Sequence, residues 1–122
     1  MSWMTTPYLN DLQRFLDLAG LRQSLIASNI ANVDTPRYHT LDFNFQDALA
    51  EAEATPAGEA FTPDVQEVAG LMQRPDGNNV SVDREAMALA QTQLQFRVGI
   101  SLLTSELHRI QSAINSGNGG TP

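Results

Sequence analysis

The apolar residues of this chain gather near its two ends, in helical stripes separated by a stretch rich in proline, glycine and acid. That division constrains the fold more than any other feature, because a middle without long apolar runs leaves helix pairing to build the core. Near the N-terminus Leu9, Leu12, Leu16, Ala19, Ile26 and Ile30 recur at alternating spacings of three and four, with Gln23 the polar interruption. They form one face of a helix. Thr5, Thr6 and Pro7 mark its start; Asn32 and then Thr35-Pro36 mark its end, since the proline ring disfavours helix at the residue before it.

The second stripe is longer. Ala86, Leu89, Phe96, Ile100, Leu103, Leu107, Ile110 and Ile114 keep the same heptad-like rhythm, with Gln93 the polar entry. Ser81 or Asp83 can cap the first turn, and Glu85 lies near the positive end of the dipole. A stop is expected at Asn115–Gly117, leaving residues 117–122 as a flexible tail. At about 1.5 Å per residue the two helices reach about 36 Å and about 50 Å. Each also carries a second apolar flank: Phe15, Leu18, Leu21 and Leu25 on the first, Met87, Leu94, Val98 and Leu102 on the second. A pair of helices cannot hide so much apolar surface, which predicts further helices from other copies.

Between the helices His39, Leu41, Phe43 and Phe45 alternate with polar residues, predicting a short half-buried strand. Gln46 to Ala54 predicts a brief helix, and Asp76-Gly77 a turn before extended Val80. Seven acids and no lysine or arginine fall between Arg37 and Arg74, so this stretch repels itself and is expected to be loosely ordered in isolation. The organisation reads as an N-terminal core helix (1–34), an irregular middle (35–80), a C-terminal core helix (81–116) and the tail.

The charge balance removes several functions. Seven arginines, no lysine and 14 acids give a net charge of -7, and the arginines are scattered singly. Phosphate recognition needs clustered cations, so neither nucleic acid nor an anionic membrane surface is a natural partner. No cysteine is present, which removes disulfides, thiol catalysis and thiolate metal sites. His39 and His108 lack ligand-spaced partners, and no glycine has phosphate-loop spacing, so no metal, nucleotide cofactor or small-molecule substrate is expected. Paired acids such as Glu51 and Glu53 point away from one another on a helix and read as solvated faces. No catalytic residue is assigned. Met1 to Tyr8 has neither a basic nor an apolar leader region, and no run is long enough to insert in a membrane.

The segment Ser28-Asn29-Ile30-Ala31-Asn32-Val33-Asp34-Thr35-Pro36-Arg37-Tyr38 resembles the signature of flagellar axial proteins, in which a first helix ends in Asn-Ile-Ala-Asn and then Thr-Pro. The continuation Leu41 to Phe45, and the approach Gly77-Asn78-Asn79-Val80 followed by Asp83 and Glu85, are similar to the proximal-rod members of that family. One departure is plain: Arg37 stands where the family usually has glycine. In physical terms Asn29 and Asn32 offer amides to backbone groups freed at the helix end, and Pro36 forbids continuation.

The resulting expectation is an all-α subunit whose terminal helices form an antiparallel, coiled-coil-like hairpin with a small irregular or β-containing middle. The resemblance implies a structural role: type III export without a cleaved signal, assembly in the periplasm with copies of itself and other rod proteins, and a place at the rod's base near the export gate, ring and adaptor junction. Contacts are expected along Leu9, Leu12, Leu16, Ala19, Ile26 and Ile30, and along Leu89, Phe96, Ile100, Leu103, Leu107, Ile110 and Ile114. The rival reading is a soluble helical adaptor or chaperone-like binding module forming a small closed oligomer, which would carry the same stripes.

Overall fold

The computed structural model describes residues 6–119. Helix α1 spans Pro7–Ala31, strand β1 Leu41–Asp42, helix α2 Phe45–Ala54, strand β2 Gln66–Glu67 and helix α3 Val82–Gly119. The all-α reading with a small β-containing middle holds. Thr6 is extended and its hydroxyl accepts the Leu9 N–H at 3.1 Å, while Pro7 fills the first helical position, where no N–H is needed. Ser81 caps α3 by accepting the Arg84 N–H at 3.2 Å.

Two boundaries differ from the sequence reading. The extended segment shortens to Leu41–Asp42 because Asn44 caps α2, accepting the Asp47 N–H at 3.0 Å, and so draws Phe45 into the helix. Helix α3 runs through Asn115–Gly117 to Gly119. Among the described residues the left-handed glycines are Gly58, Gly70 and Gly77, so Gly117 does not adopt the conformation that would end the helix there. Of the expected tail, residues 120–122 lie outside the described residues, as do residues 1–5, on which the reading of an absent leader largely rests.

Helices α1 and α3 pack antiparallel, Leu16 lying against Gly99, Gly20 against Phe96 and Asn29 against Glu85. A second side of α1 carries the main apolar cluster. Leu18, Phe43, Ala48 and Ala52 are buried there, with Leu21, Leu25, Phe45, Leu49, Phe61 and Val65 packed around them. Phe15 meets Phe45 edge-on at 5.3 Å, and burying each large side chain contributes about 1.5–3 kcal/mol. The second flank of α1 is therefore covered by the chain's own middle, where the stripe widths alone pointed to other copies.

The middle is pinned at several points. β1 and β2 pair antiparallel, Leu41 opposite Glu67 and Asp42 opposite Gln66. Arg14 of α1 donates to the carbonyls of Thr55 and Pro56 at 2.6 and 2.9 Å, which ties down the end of α2. Among the described residues the backbones of α2 and α3 do not approach one another closely, so both lean on α1 with a cleft between them.

Candidate functional site

The motif residues, separated by some forty positions in sequence, meet at one end of the hairpin. Asn29 is buried in the last turn of α1, and its amide nitrogen donates to the Leu41 carbonyl at 2.9 Å and to Glu85 Oε2 at 3.2 Å. Its Oδ1 accepts from the Tyr38 hydroxyl at 2.8 Å and from the Leu41 N–H at 3.1 Å. Asn29 thus joins α1, β1 and α3, rather than serving its own helix end as expected. Asn32 does serve it, donating to the Ser28 carbonyl at 2.8 Å and accepting from the Thr35 hydroxyl at 3.0 Å.

Asn78 plays the complementary part from the other side. Its amide nitrogen donates to the carbonyls of Asn32 and Thr35 at 2.9 and 2.8 Å, and its Oδ1 accepts the Val80 N–H at 2.8 Å. Asn79 Oδ1 accepts the Thr40 N–H at 2.7 Å, and Arg74 donates to the carbonyl of Val33 and, at 3.3 Å, to that of Val80. Asn78, Asn79 and Val80 are buried, and Gly77 adopts φ +87 against Arg37. Ser28 is exposed, its hydroxyl 3.5 Å from that of Tyr38. Ile30, Ala31, Asp34, Thr35, Pro36 and Asp83 are also exposed, so the structure leaves these side chains at the surface.

Below the asparagines lies an ionic group that sequence reasoning missed. Asp42 Oδ2 accepts from Arg84 at 2.7 Å, Asp42 Oδ1 pairs with Arg22 at 3.3 Å, and Arg84 reaches the buried Glu85 at 2.8 Å. Burial pushes the Asp42 carboxyl up, but hydrogen bonds from Arg84, Arg22 and the Phe43 N–H outweigh it and hold the group below its usual value. Burial likewise pushes Arg84 down, and its bonds to Asp42 and Glu85 outweigh that. Donors and acceptors are matched throughout. This is the chemistry of a lock, with no free nucleophile or base, and among the described residues no His, Asp or Glu group is arranged to hold a metal.

The predicted contact residues divide into two sets. Leu12, Ala19 and Ile26 of α1 are buried, and Leu9 and Leu16 half-buried. In α3 the seam facing α1 pairs half-buried Leu89, Phe96, Leu103 and Ile110 with Glu85, Thr92, Gly99 and Glu106, all four buried at heptad spacing. The apolar stripe read from sequence instead paired the first set with Ile100, Leu107 and Ile114, which are exposed, as is Ile30. Close helix approach selects small side chains, and Gly99 and Thr92 carry no apolar signal.

On either side of that seam α3 presents apolar side chains to solvent. Met87, Leu94, Val98 and Leu102 follow one flank and are 76%, 61%, 47% and 42% exposed. Val82, Ile100, Leu107 and Ile114 follow the other. The first flank opens on a cleft of about 220 Å³ between α2 and α3, lined by Tyr8, Phe15, Leu49, Val98 and Leu102 among others. No helix among the described residues is long and apolar enough to cross a membrane.

The family profile described as "Flagella basal body rod protein" matches residues 16–39, the second half of α1 and the Asn29–Tyr38 exit. The flagellar basal body rod protein FlgB of Escherichia coli K12 is 31% identical over 126 aligned positions, covering 87% of this chain and 91% of that protein. The chain belongs to the FlgB family of flagellar basal body rod proteins. The FlgB proteins of Salmonella typhimurium and Bacillus subtilis are 29% and 26% identical, covering 87% and 89% of this chain and 91% and 94% of their own lengths. FlgB relatives thus match both terminal helices and not the motif alone. The rival adaptor gains no support from these matches, all of them rod proteins by name.

Proposed function

We propose that this chain is a structural subunit of the proximal part of the flagellar basal-body rod, polymerising through the flanks of α3 with copies of itself and with other rod proteins. The observation that carries this reading is the pair of exposed apolar flanks on a helix whose inner seam is already occupied by α1. Apolar surface of that extent marks a contact with protein. Two different flanks on one helix meet two different neighbours, and such heterologous contacts build an open helix wherever the rotation from one subunit to the next does not close a ring. The Asn29 and Asn78 network stiffens the hairpin so that torque passes between subunits and is not absorbed within one.

The same reading takes the subunit to the periplasm by type III export without a cleaved leader, and sets it at the rod's base beside the export gate, ring and adaptor junction. It assigns no catalytic role. Electron cryomicroscopy of purified basal bodies tests it: density at the base of the rod should fit α1 and α3 as one antiparallel hairpin with neighbours along both flanks of α3. Basal bodies that lack the chain would refute the assignment.

A further inference from the structure

Copies of a chain with net charge -7 repel one another as they approach. The cations that could offset this are mostly engaged inside the molecule. Arg14 and Arg74 are held by backbone carbonyls, Arg22 and Arg84 by Asp42, and Arg109 by Glu106. Among the described residues Arg37 and Arg97 are the two arginines whose guanidinium groups make no hydrogen bond or ion pair, and both residues are exposed. Arg97 stands on the regular helix α3, where arginine is a favourable residue.

Arg37 stands where arginine is disfavoured. Its φ is +64, in the left-handed region that glycine enters freely and other residues enter at a cost. The turn cannot relax, because its N–H is bound to the Asp76 carbonyl at 3.0 Å and Gly77 is packed so closely that a Cβ there would lie 3.2 Å from Arg37 Cα. A strained conformation that the surroundings over-determine, carrying a long charged side chain with no partner among the described residues, points to use outside the subunit.

We infer that the Arg37 guanidinium is an assembly contact that pairs with a carboxylate on a neighbouring copy of this chain. The inference rests on the rod-subunit reading and names one of its contacts. A copy supplies the matching chemistry in excess: of its 14 acids, Asp17, Asp34, Asp47, Glu51 and Glu53 are exposed and form no ion pair among the described residues. Guanidinium and carboxylate pair through two parallel hydrogen bonds, which fixes orientation as well as attraction and so helps set subunit register.

Three variants separate charge from strain: Arg37→Gly and Arg37→Asn, which tolerate the left-handed turn, and Arg37→Lys, which keeps the charge. The thermal midpoint of each purified chain, and its amount in basal bodies purified from cells producing it, are measured beside the unaltered chain. The glycine and asparagine variants should melt at the same temperature or a few degrees higher, yet be incorporated about fivefold less well, with the lysine variant retaining most incorporation. Incorporation of the glycine and asparagine variants at the unaltered level would overturn the contact. So would a midpoint lowered by several degrees, which would assign the side chain to the fold, or a lysine variant as defective as glycine. Absence of the unaltered chain from basal bodies would overturn the rod reading itself, and this contact with it.

Discussion

Gly99 of α3 lies so close to Leu16 of α1 that a Cβ built on it would sit 2.6 Å from Leu16 Cδ2 and 3.1 Å from Phe15 Cδ1. The Leu16 terminus can swing aside, whereas the Phe15 ring is held edge-on against Phe45. Alanine at this position gains about 1 kcal/mol of helix propensity and loses a similar amount to overpacking, so Gly99→Ala should change stability by less than about 1 kcal/mol. Gly99→Val adds bulk and a stiff χ1, and should cost about 2–3 kcal/mol. Urea unfolding of the two variants checks the contrast.

Asn29 makes four hydrogen bonds from a buried amide. Asn29→Ala strands the Leu41 backbone groups and removes a donor from the buried Glu85 carboxylate. The loss should be about 3 kcal/mol or more, well above a typical exposed asparagine. Hydrogen exchange locates the damage: the Leu41 amide and the first turn of α3 should lose protection before the middle of α1 does.

The ionic group predicts a response to acid. Because Asp42 is held below its ordinary value when folded, its contribution is complete above the unfolded aspartate pKa of about 3.9 and is lost as pH falls through the lowered folded value. Thermal midpoints measured from neutral pH into acid should therefore decline on entering that range. Asp42→Asn should start lower at neutral pH and show a smaller decline, since the neutral side chain removes at every pH the carboxylate that Arg84 and Arg22 share, leaving Arg84 paired with Glu85 alone.

Periodicity of large apolar residues was enough to read α1 and α3, because Leu12, Ala19 and Ile26, and Leu89, Phe96, Leu103 and Ile110, do line the seam. It misread the other half of the α3 seam, where Glu85, Thr92, Gly99 and Glu106 recur every seven residues without apolar character. A heptad of small and polar residues beside an apolar heptad is the signal that could have found it. The polar lock was legible only as two separate strings. Nothing local in Asn29 says that its partner is Glu85, 56 residues away, or that Asp42 will bridge Arg22 and Arg84. The turn at Arg37 keeps positive φ despite its side chain because Gly77 and the Asp76 carbonyl fix its backbone.

The central claim is that the exposed flanks of α3 are where neighbouring subunits bind, and Leu94→Asp and Ile100→Asp test one flank each. Both side chains are more than half exposed in the subunit, so the thermal midpoint of the free chain should shift by no more than about 0.5 kcal/mol would produce. At a subunit interface a lone carboxylate is buried without a partner, which costs several kcal/mol. The most direct measurement is the amount of each variant in purified basal bodies, relative to its level in the cell. At least a tenfold loss for both variants, with unchanged midpoints, is the predicted result; incorporation of both at the level of the unaltered chain would contradict the account.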